Sequence, residues 1–485
     1  MAEMTITADA TSVVTHGFFL DGKWLEEGDL VEVRAPYDGA LIARHYQGRR
    51  EHAEAAIAAA VKAFGTTKRL PAFERQRVLR QIAAGIQERR EEFARTLALE
   101  AGKPIKAARL EIERGVFTFQ IAAEESVRGY GEYLPLDWQQ STAGRWGIVK
   151  RFPVGPIAGI TPFNFPLNLV AHKVAPAIAA GCSMVLKPAP QTPLTSLLLA
   201  EVVQYAGWPD GGLNVVPLSN DDSALLVKDD RIKLISFTGS AAVGWAIKNQ
   251  AGKKKVALEL GGNSGVIVHC DSDLAYAADR CITGGFAYAG QSCIAVQRIL
   301  VEHSVYGKFI DLLLAGVRKL RTGDPLEEST DMGPLIRESD AIRAADWVQE
   351  AVRGGARLLC GGSRRGSILE PTVLTGTKPD MKVNCQEIFG PVVTVEPYQD
   401  FASALKELNN SAYGLQAGLF TRDVKLVFQA YEELEVGGLI AGDVPTFRID
   451  HMPYGGVKDS GLGREGLRDA IHEMTEPKLL VMNLR

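Results

Sequence analysis

The chain has 485 residues, 46% of them hydrophobic, and 54 lysines and arginines against 58 aspartates and glutamates leave a net charge of −4. A chain of this length divides into two or three domains, each with its own core. The small negative charge provides no basic field, so nucleic acid and membrane surfaces are not expected partners.

The N-terminal segment MAEMTITADATSVVTHGFFLDGKW shows neither a basic start followed by an apolar core nor a cleavage pattern. No uninterrupted apolar run reaches roughly eighteen residues, and we therefore expect a cytoplasmic protein. The 6 cysteines include no C-x-x-C pair, and the 8 histidines include no H-E-x-x-H motif. Neither a disulfide framework nor a metal site is expected.

Residues 53–101 are rich in Ala, Glu, Arg and Leu, with apolar positions at three- and four-residue spacing, which predicts amphipathic helices. A further helical stretch is predicted to about Arg128. The segments GYGEYLPLD and GRWGIVKRFPVG then predict the two arms of an extended hairpin. The final segment EPKLLVMNLR predicts a short strand, whose edge the hairpin would cover in the same or another subunit.

After Pro153, short β-branched runs alternate with helical segments that end in glycine, as in GPIAGI, SMVLKP, LNVVP, KLISF and KVALEL. This alternation is typical of βαβ units and a parallel sheet, so the predicted fold class is α/β. A second α/β series follows, and we place its domain between about Glu259 and Asp450. In such sheets the ligand lies at the carboxyl ends of the strands.

Several polar side chains stand at predicted strand ends, and each has a structural alternative. Ser240 in FTGS fits an anion site for a pyrophosphate, or a simple helix N-cap. Lys187 in MVLKP fits a contact to a nucleotide ribose or 2′-phosphate, or a solvated strand end. Asn164 in GITPFNFP fits an oxyanion donor, or an asparagine that satisfies a turn.

Two carboxylates and one cysteine add reactive groups. Glu259 ends the apolar run VALEL, so it fits a general base with a disfavoured ionised form, or a salt-bridged structural residue. Glu387 in NCQEIFGPV is a second such carboxylate. Cys293 in GGFAYAGQSCIAVQR fits a nucleophile or a small packing residue, and the co-occurrence of all these groups favours the nucleophile.

A series of motifs, in order and over nearly the whole chain, resembles the aldehyde dehydrogenase superfamily: GITPFNFP, VLKP, FTGS, LELGGNS, GQSC, EIFGPV, GLFT and YGGVKDSGLGREG. The resemblance implies an α/β fold with a Rossmann-like coenzyme domain, an α/β catalytic domain and a β-arm that joins subunits into a homodimer or homotetramer. It implies a coenzyme domain in residues 1–128 and 149–258 and a catalytic domain in 259–450. The arm would comprise 129–148 and 472–485, and residues 451–471 would return to the coenzyme domain.

The resemblance also implies roles for single residues. Cys293 would add to the carbonyl of a small aldehyde, and Asn164 with the backbone N–H of Cys293 would bind the oxyanion. After hydride transfer from the hemithioacetal to the nicotinamide of NAD+ or NADP+, Glu259 would activate the water that hydrolyses the thioester to a carboxylic acid, or the cysteine itself. Coenzyme contacts are implied for Thr161, Pro162, Phe163, Asn164, Lys187, Pro190, Gly239, Ser240, Val243, Glu259, Leu260, Gly261, Glu387 and Phe389.

One position departs from the family pattern. Three residues after Lys187, many NAD-using members have a glutamate that accepts the ribose hydroxyls, whereas this chain has Pro190. The change removes an acceptor for NAD+ and a charge that would repel a 2′-phosphate. We therefore expect NADP+ to be at least tolerated.

The substrate is encoded less clearly. An apolar tunnel wall is suggested by Phe163, Phe165, Leu169, Ile294 and Phe447, with polar points at Asn168 and Ser292. Arg448 fits an anchor for an anionic group on the aldehyde, or a salt bridge to Asp450 or a neighbouring chain.

Three rival functions remain open from the residues. A CoA-acylating enzyme would release an acyl-CoA, although Glu259 favours water as the acceptor. A thiol hydrolase would need a histidine base, and no sequence context pairs a histidine with Cys293. A non-enzymatic role is disfavoured because every catalytic motif position is filled.

Overall fold

The computed structural model describes residues 13–129 and 131–484. Residues 1–12 of the predicted coenzyme domain, Tyr130 of the predicted hairpin and Arg485 of the predicted tail lie outside the described residues.

The N-terminal segment forms short strands before the first helix. They are β1 (Thr15–His16), β2 (Phe18–Leu20), β3 (Lys23–Leu25), β4 (Asp29–Arg34) and β5 (Leu41–Gln47). Strands β1, β5 and β4 form a small sheet, whereas β2 and β3 extend the first large sheet, whose other strands follow below. These runs are too short to show a clear period, so the sequence predicts no strands here.

Four long helices follow, which confirms the helices predicted from the apolar spacing. They are α1 (Arg50–Thr67), α2 (Ala72–Glu88), α3 (Arg90–Ala101) and α4 (Ile105–Glu125). Their apolar faces, with Leu79, Ile82 and Ile86 on α2, are buried against the first sheet and its helices. Strands β6 (Gly131–Pro135) and β7 (Arg145–Pro153) then form the predicted hairpin.

The next segment alternates strands and helices as predicted. It contains β8 (Ile157–Ile160), α5 (Asn168–Ala180), β9 (Met184–Lys187), α6 (Leu194–Tyr205), β10 (Leu213–Val215), α7 (Asn220–Lys228), β11 (Leu234–Thr238), α8 (Ala241–Gln250) and β12 (Lys255–Glu259). Strands β12, β11, β8, β9 and β10 are parallel neighbours in that order. Ile160 pairs with Lys187, and Thr238 pairs with Glu259, so residues after these strands meet at one edge of the sheet.

A second α/β segment has its own sheet and core. It contains β13 (Gly265–Val268), α9 (Leu274–Phe286), β14 (Arg298–Glu302), α10 (Tyr306–Val317), α11 (Glu338–Arg353), β15 (Arg357–Cys360), β16 (Arg364–Arg365), β17 (Ile368–Leu369), β18 (Thr372–Thr375), α12 (Lys382–Cys385), β19 (Val392–Tyr398), α13 (Phe401–Asn409), β20 (Tyr413–Gly414), β21 (Gln416–Phe420), α14 (Val424–Glu433) and β22 (Gly438–Ala441). The sheet order is β15-β18-β19-β14-β13-β21-β22. Only the β15–β18 pair in it is antiparallel.

The last segment returns to the first sheet. It contains β23 (Val457–Lys458), β24 (Gly461–Leu462), α15 (Leu467–Glu473) and β25 (Thr475–Asn483). Strand β24 pairs with β12 at Glu259, and the loop before β23 therefore lies beside the end of β12.

Strand β25 covers the hairpin of the same chain. It forms within the predicted C-terminal segment and pairs with β7 from Thr475↔Pro153 to Asn483↔Arg145, as the predicted cover of the strand edge requires. Leu479, Leu480 and Val481 on β25 remain exposed in the single chain. Among the described residues, no helix is both long enough and apolar enough to cross a membrane.

Candidate active site

Cys293 lies in a tightly held loop after α9. Tyr288 and Ala289 in the preceding turn have left-handed backbone angles (φ 51° and 53°), an uncommon conformation for side-chain-bearing residues. The Tyr288 hydroxyl donates to the Ala101 carbonyl (2.8 Å), and the Gln291 side chain accepts from the Ile336 N–H (2.8 Å). These bonds fix a backbone that would otherwise be strained.

The Cys293 side chain is partly buried among apolar groups. It packs with Ile294, Leu415 and Tyr454, and its Sγ lies 3.1 Å from the Tyr454 hydroxyl. Burial raises the pKa of the Cys293 thiol, and the hydrogen bond with Tyr454 lowers it in part, so that the pKa is about 12. A neutral thiol in this setting needs a base before it can act as a nucleophile.

Glu259 is a desolvated carboxylate without an ion-pair partner. It ends β12, is 5% exposed, and its Oε2 has no hydrogen-bond partner. Burial, and then the charge of Glu465, raise the pKa of Glu259 well above its ordinary value. Within the described part of the chain no salt bridge involves Glu259, so the alternative of a salt-bridged structural glutamate is wrong.

Asn164 connects the first sheet to the cysteine loop. It follows β8, is 3% exposed, and its Nδ2 donates to the Gln291 carbonyl at 2.9 Å. An amide nitrogen carries two hydrogens, so one donor remains for another acceptor. This hydrogen bond joins the two α/β segments. Asn164 is therefore more than an asparagine that satisfies a local turn.

The predicted coenzyme groups meet along the carboxyl edge of β8, β9, β11 and β12. Lys187 is 5% exposed, and among the described residues its Nζ has one hydrogen-bond contact, 3.5 Å from Asn220 Oδ1. Burial lowers the pKa of Lys187 to about 8, so this lysine is not a solvated strand end. Ser240 is the N-cap residue of α8, as the N-cap alternative predicts, although its side chain makes no capping hydrogen bond among the described residues.

The remaining coenzyme candidates line the same edge. Thr161 donates its backbone N–H to the Lys187 carbonyl (3.2 Å), and Gly239 donates to the Glu259 carbonyl (3.0 Å). Pro190 and Val243 are exposed, Leu260 is buried, and Pro162 and Phe163 are partly buried. A lysine with little pairing, a free hydroxyl at a helix N-terminus and adjacent backbone fit the phosphates and ribose of a dinucleotide.

Glu387 and Phe389 reach this edge from the second α/β segment. Glu387 Oε1 accepts from the Gly262 N–H at 2.9 Å, and burial raises the pKa of Glu387 to about 7. Phe389 has a left-handed backbone (φ 48°), and its ring meets Phe163 edge-on at 5.9 Å.

Two glycines permit this approach. A Cβ on Gly261 would collide with the Glu387 carboxylate, and one on Gly262 would lie 2.6 Å from the Cys293 carbonyl oxygen. The glycines of the LELGG motif are therefore required by packing between the two segments.

The predicted substrate residues are only partly available. Phe165 packs between the Lys103 ammonium (3.8 Å from the ring centroid) and the Tyr288 ring (6.3 Å). Leu169 and Ile294 are buried, whereas Phe447 is 47% exposed. Ser292 Oγ accepts from the Ile294 N–H (3.4 Å).

Asn168 makes hydrogen bonds within the protein through both ends of its side-chain amide. Its Nδ2 donates to Asp450 Oδ1 (3.1 Å), and its Oδ1 accepts from Thr118 (3.3 Å). The partners of this amide lie on another helix and in a distant loop. The position of Asn168 in the sequence does not reveal these contacts.

Arg448 has a different partner from the one expected. Its Nη2 pairs with Glu465 Oε2 at 3.0 Å, whereas Asp450 accepts from Nη2 and Nε of Arg114 (2.7 and 3.2 Å). The predicted Arg448–Asp450 salt bridge is therefore wrong. The Arg448 Nε is buried and has no hydrogen-bond partner.

Four charged or phenolic residues here were not singled out from the sequence: Arg114, Lys173, Tyr454 and Glu465. Glu465 accepts hydrogen bonds from Lys173 (3.3 Å) and from Arg448. Burial by itself raises the pKa of Glu465, but the two cations and His172 outweigh it and lower this pKa to about 2. Tyr454 and Glu465 lie inside the motif YGGVKDSGLGREG, which was the available signal. Arg114 and Lys173 lie in helical segments whose sequence pattern gives no signal of a functional role.

A parallel sheet with polar groups at its carboxyl edge, facing a cysteine loop from a second α/β segment, defines a nucleotide-dependent α/β enzyme. A sequence profile of the aldehyde dehydrogenase family matches residues 24–480. The chain belongs to the aldehyde dehydrogenase family.

Similar proteins cover the chain almost completely. The 3-sulfolactaldehyde dehydrogenase of Priestia aryabhattai is 44% identical over 477 residues, which are 98% of this chain and 99% of that protein. The crystal structure of aldehyde dehydrogenase 21 from Physcomitrella patens, in complex with the reaction product succinate, is 46% identical, with a TM-score of 0.96 over 98% of this chain and 99% of that one. A Methanocaldococcus jannaschii glyceraldehyde-3-phosphate dehydrogenase complexed with NADP is 39% identical, with a TM-score of 0.91 over 95% of this chain and 100% of that one.

These findings confirm the resemblance and the fold class inferred from the motifs. The chain is an NAD(P)+-dependent oxidoreductase that oxidises an aldehyde. They do not favour the CoA-acylating or the thiol-hydrolase alternative.

Proposed function

We propose that Cys293 is the nucleophile that adds to the aldehyde carbon. The observation that carries this proposal is the meeting of two groups at the Cys293 loop: the Glu259 carboxylate, whose charge acts on the Cys293 thiol, and the Asn164 amide, which binds the Gln291 carbonyl of that loop. The remaining Asn164 N–H and the backbone N–H of Cys293 would stabilise the oxyanion that forms.

Glu259 serves as the general base in this proposal. A raised pKa lets the carboxylate take the Cys293 proton and, after that proton has passed to solvent, the proton of the attacking water. Sulfur bonds to the carbonyl carbon as a hemithioacetal, which would become a thioester on loss of its hydride to the bound coenzyme. Water then breaks the thioester and releases the carboxylic acid.

The coenzyme would lie along the strand ends, in the proposed coenzyme domain of residues 1–128 and 149–258 with its return in 451–471. Lys187 would bind the adenosine ribose or a 2′-phosphate, Ser240 the pyrophosphate and Glu387 the nicotinamide ribose. When bound, NAD(P)+ supplies the hydride acceptor. Pro190 leaves no carboxylate beside Lys187, which supports use of NADP+.

The substrate is proposed to be a small aldehyde with an anionic group. Arg114 is 31% exposed at its side chain, and Arg448 has an unpartnered Nε. Asp450 and His172 link the two arginines, since His172 Nε2 lies 2.8 Å from Asp450 and 3.2 Å from Arg448. A sulfonate or carboxylate on the substrate suits such a site, and both occur in the names or ligands of the relatives.

The experiment is a panel of short aldehydes that carry a sulfonate, a carboxylate, a phosphate or no charge, assayed by NAD(P)H absorbance with each coenzyme. Arg114→Gln should raise KM about 10- to 100-fold for the preferred anionic aldehyde and little for neutral ones, because a hydrogen bond to a charged group contributes about 1.5–3 kcal/mol. Arg109→Gln is a matched control, since Arg109 lies on the same helix with 30% of its side chain exposed. Equal losses on charged and neutral aldehydes for both Arg114→Gln and Arg448→Ala would refute the anion site.

The subunit contacts and compartment are also proposals. We propose that the arm formed by residues 129–148 and 472–485 joins a homodimer or homotetramer, supported by the exposed apolar residues of β25. A reducing compartment, the cytoplasm, fits an enzyme whose Cys293 must remain a thiol.

A further inference from the structure

The contact between Tyr454 and Cys293 is the feature of the site that the proposed roles leave unused. The Tyr454 Oη lies 3.1 Å from Cys293 Sγ, and Tyr454 is 3% exposed. In the described chain, that sulfur is the sole hydrogen-bond partner of the hydroxyl. Backbone hydrogen bonds in both directions with Glu465 (2.9 and 2.6 Å) hold the tyrosine in place.

The direction of this hydrogen bond follows from the charges around it. Cys293 faces the Glu387 and Glu259 carboxylates and the Arg448 cation, and Tyr454 faces Arg448 and Glu259. Burial and the proximity of Cys293 raise the pKa of Tyr454 well above its ordinary value. The phenol therefore keeps its proton, and it is the donor of this pair once Cys293 has become a thiolate.

Arg448 makes the phenol a better donor. Its guanidinium lies over the Tyr454 ring, 3.7 Å from the centroid, and the salt bridge to Glu465 holds it there. A cation on the ring face withdraws electron density and strengthens the O–H as a donor. The anionic Glu465 keeps this arrangement fixed at neutral pH.

We propose that Tyr454 is a further catalytic residue, whose phenol donates a hydrogen bond to the Cys293 thiolate and increases the thiolate fraction at neutral pH. This inference rests on the proposed role of Cys293 as the nucleophile. The proton lost from Sγ passes to the Glu259 carboxylate, and Tyr454 keeps its own proton throughout. No group is oxidised or reduced in this step.

The test is the rate at which iodoacetamide alkylates Cys293, measured from pH 7 to 9.5 by peptide mass spectrometry. Tyr454→Phe keeps the ring and its stack with Arg448 but removes the donor. We expect Cys293 alkylation to slow about 10- to 100-fold at each pH, since a hydrogen bond to a charged group shifts the pKa by about one to two units. The partly exposed Cys385, which contacts neither Tyr454 nor Tyr398, provides an internal reference in the same samples.

A matched control removes another buried phenol. Tyr398 is 4% exposed and bonds His269 Nδ1 at 2.9 Å in the second sheet. Tyr398→Phe should leave Cys293 alkylation unchanged, which separates a local donor effect from a general loss of packing.

Unchanged or faster alkylation of Cys293 in folded Tyr454→Phe overturns the inference; faster alkylation would mean that the phenol shields the sulfur. If Tyr454→Phe does not fold, site-specific replacement of Tyr454 by 3-fluorotyrosine provides a stronger donor and should speed alkylation, whereas no increase overturns the inference. Aldehyde oxidation by Cys293→Ala is measured separately. Retained oxidation there refutes the nucleophile itself, whereas lost oxidation with unchanged alkylation in Tyr454→Phe refutes only the role of Tyr454.

Discussion

Buried polar groups lack protein partners in one region of this molecule and are paired in a neighbouring region. At the carboxyl edge of the first sheet, the buried Lys187 and Glu259 have polar atoms with weak or no partners among the described residues. In the wall formed by α4, α5 and the loop of residues 446–465, charges are paired, as in Arg114–Asp450 and Arg448–Glu465.

The difference separates polar atoms that have no protein partner from charges that pairing holds in place, among them the two arginines whose remaining donors are proposed to meet the substrate. A buried polar atom without a partner destabilises the fold, so its retention favours a role toward substrate or coenzyme. A paired charge fixes geometry, and the loss of one partner leaves the other uncompensated. Substitutions at the edge should therefore reduce activity with little loss of stability, and substitutions in the wall should reduce stability.

The largest effect is expected at the sulfur. Cys293→Ala should lower kcat for aldehyde oxidation about ten-thousandfold or more, because no other group forms the covalent bond. The melting temperature should change little. Aldehyde-dependent NAD(P)H formation and thermal unfolding test the two statements, and substantial residual turnover would contradict the assignment.

Glu259→Gln removes the base but keeps the size of the side chain. We expect kcat to fall about 10²- to 10⁴-fold, with a melting temperature equal to or above that of the parent, since an uncharged amide is easier to bury. Steady-state kinetics and thermal unfolding measure both. A large loss of stability would show that Glu259 is structural.

Substitutions in the wall should mainly lower the free energy of unfolding. Asp450→Asn leaves Arg114 without its charge partner, and we expect a loss of about 2–4 kcal/mol in the free energy of unfolding, less than for a fully buried pair because Arg114 is partly exposed. Burial raises the pKa of Asp450, but His172 and Arg114 outweigh burial and hold this pKa well below its usual range. Denaturant unfolding is the measurement, and unchanged stability would remove the contrast between the regions.

Lys187→Met tests the edge at its coenzyme end. We expect KM for NADP+ to rise about tenfold and KM for NAD+ to rise less, because a charge-assisted contact to a 2′-phosphate is lost. Removal of a desolvated, weakly paired cation should not lower the melting temperature. Equal changes in the two KM values would argue against a 2′-phosphate contact.

The smallest effect expected is a pH dependence of NADP+ binding. Burial lowers the pKa of Lys187 to about 8, so the cation is present below that pH and lost above it. Bound phosphate favours the cation, and we therefore expect KM for NADP+ to rise a few-fold from pH 7.5 to 9.5 while KM for NAD+ changes less. A profile shared by both coenzymes would not support this role of Lys187.

Much of the frame and of the candidate chemistry followed from the chain itself. Apolar spacing predicted the helices of residues 53–101, and β-branched runs predicted the parallel sheet. Motif identity led to Cys293, Glu259 and Asn164. These are local properties, because the period of a helix or strand and the residues of a motif are written in neighbouring positions.

Only the tertiary structure decided which side chains face one another. The Tyr454–Cys293 contact spans 161 positions and the Arg114–Asp450 salt bridge spans 336. The partner of Arg448, the use of the Asn168 amide by Asp450 and the isolation of the Glu259 carboxylate depend on packing between segments. Sequence determined which groups are present, and burial together with long-range pairing determined which of them remain free to react.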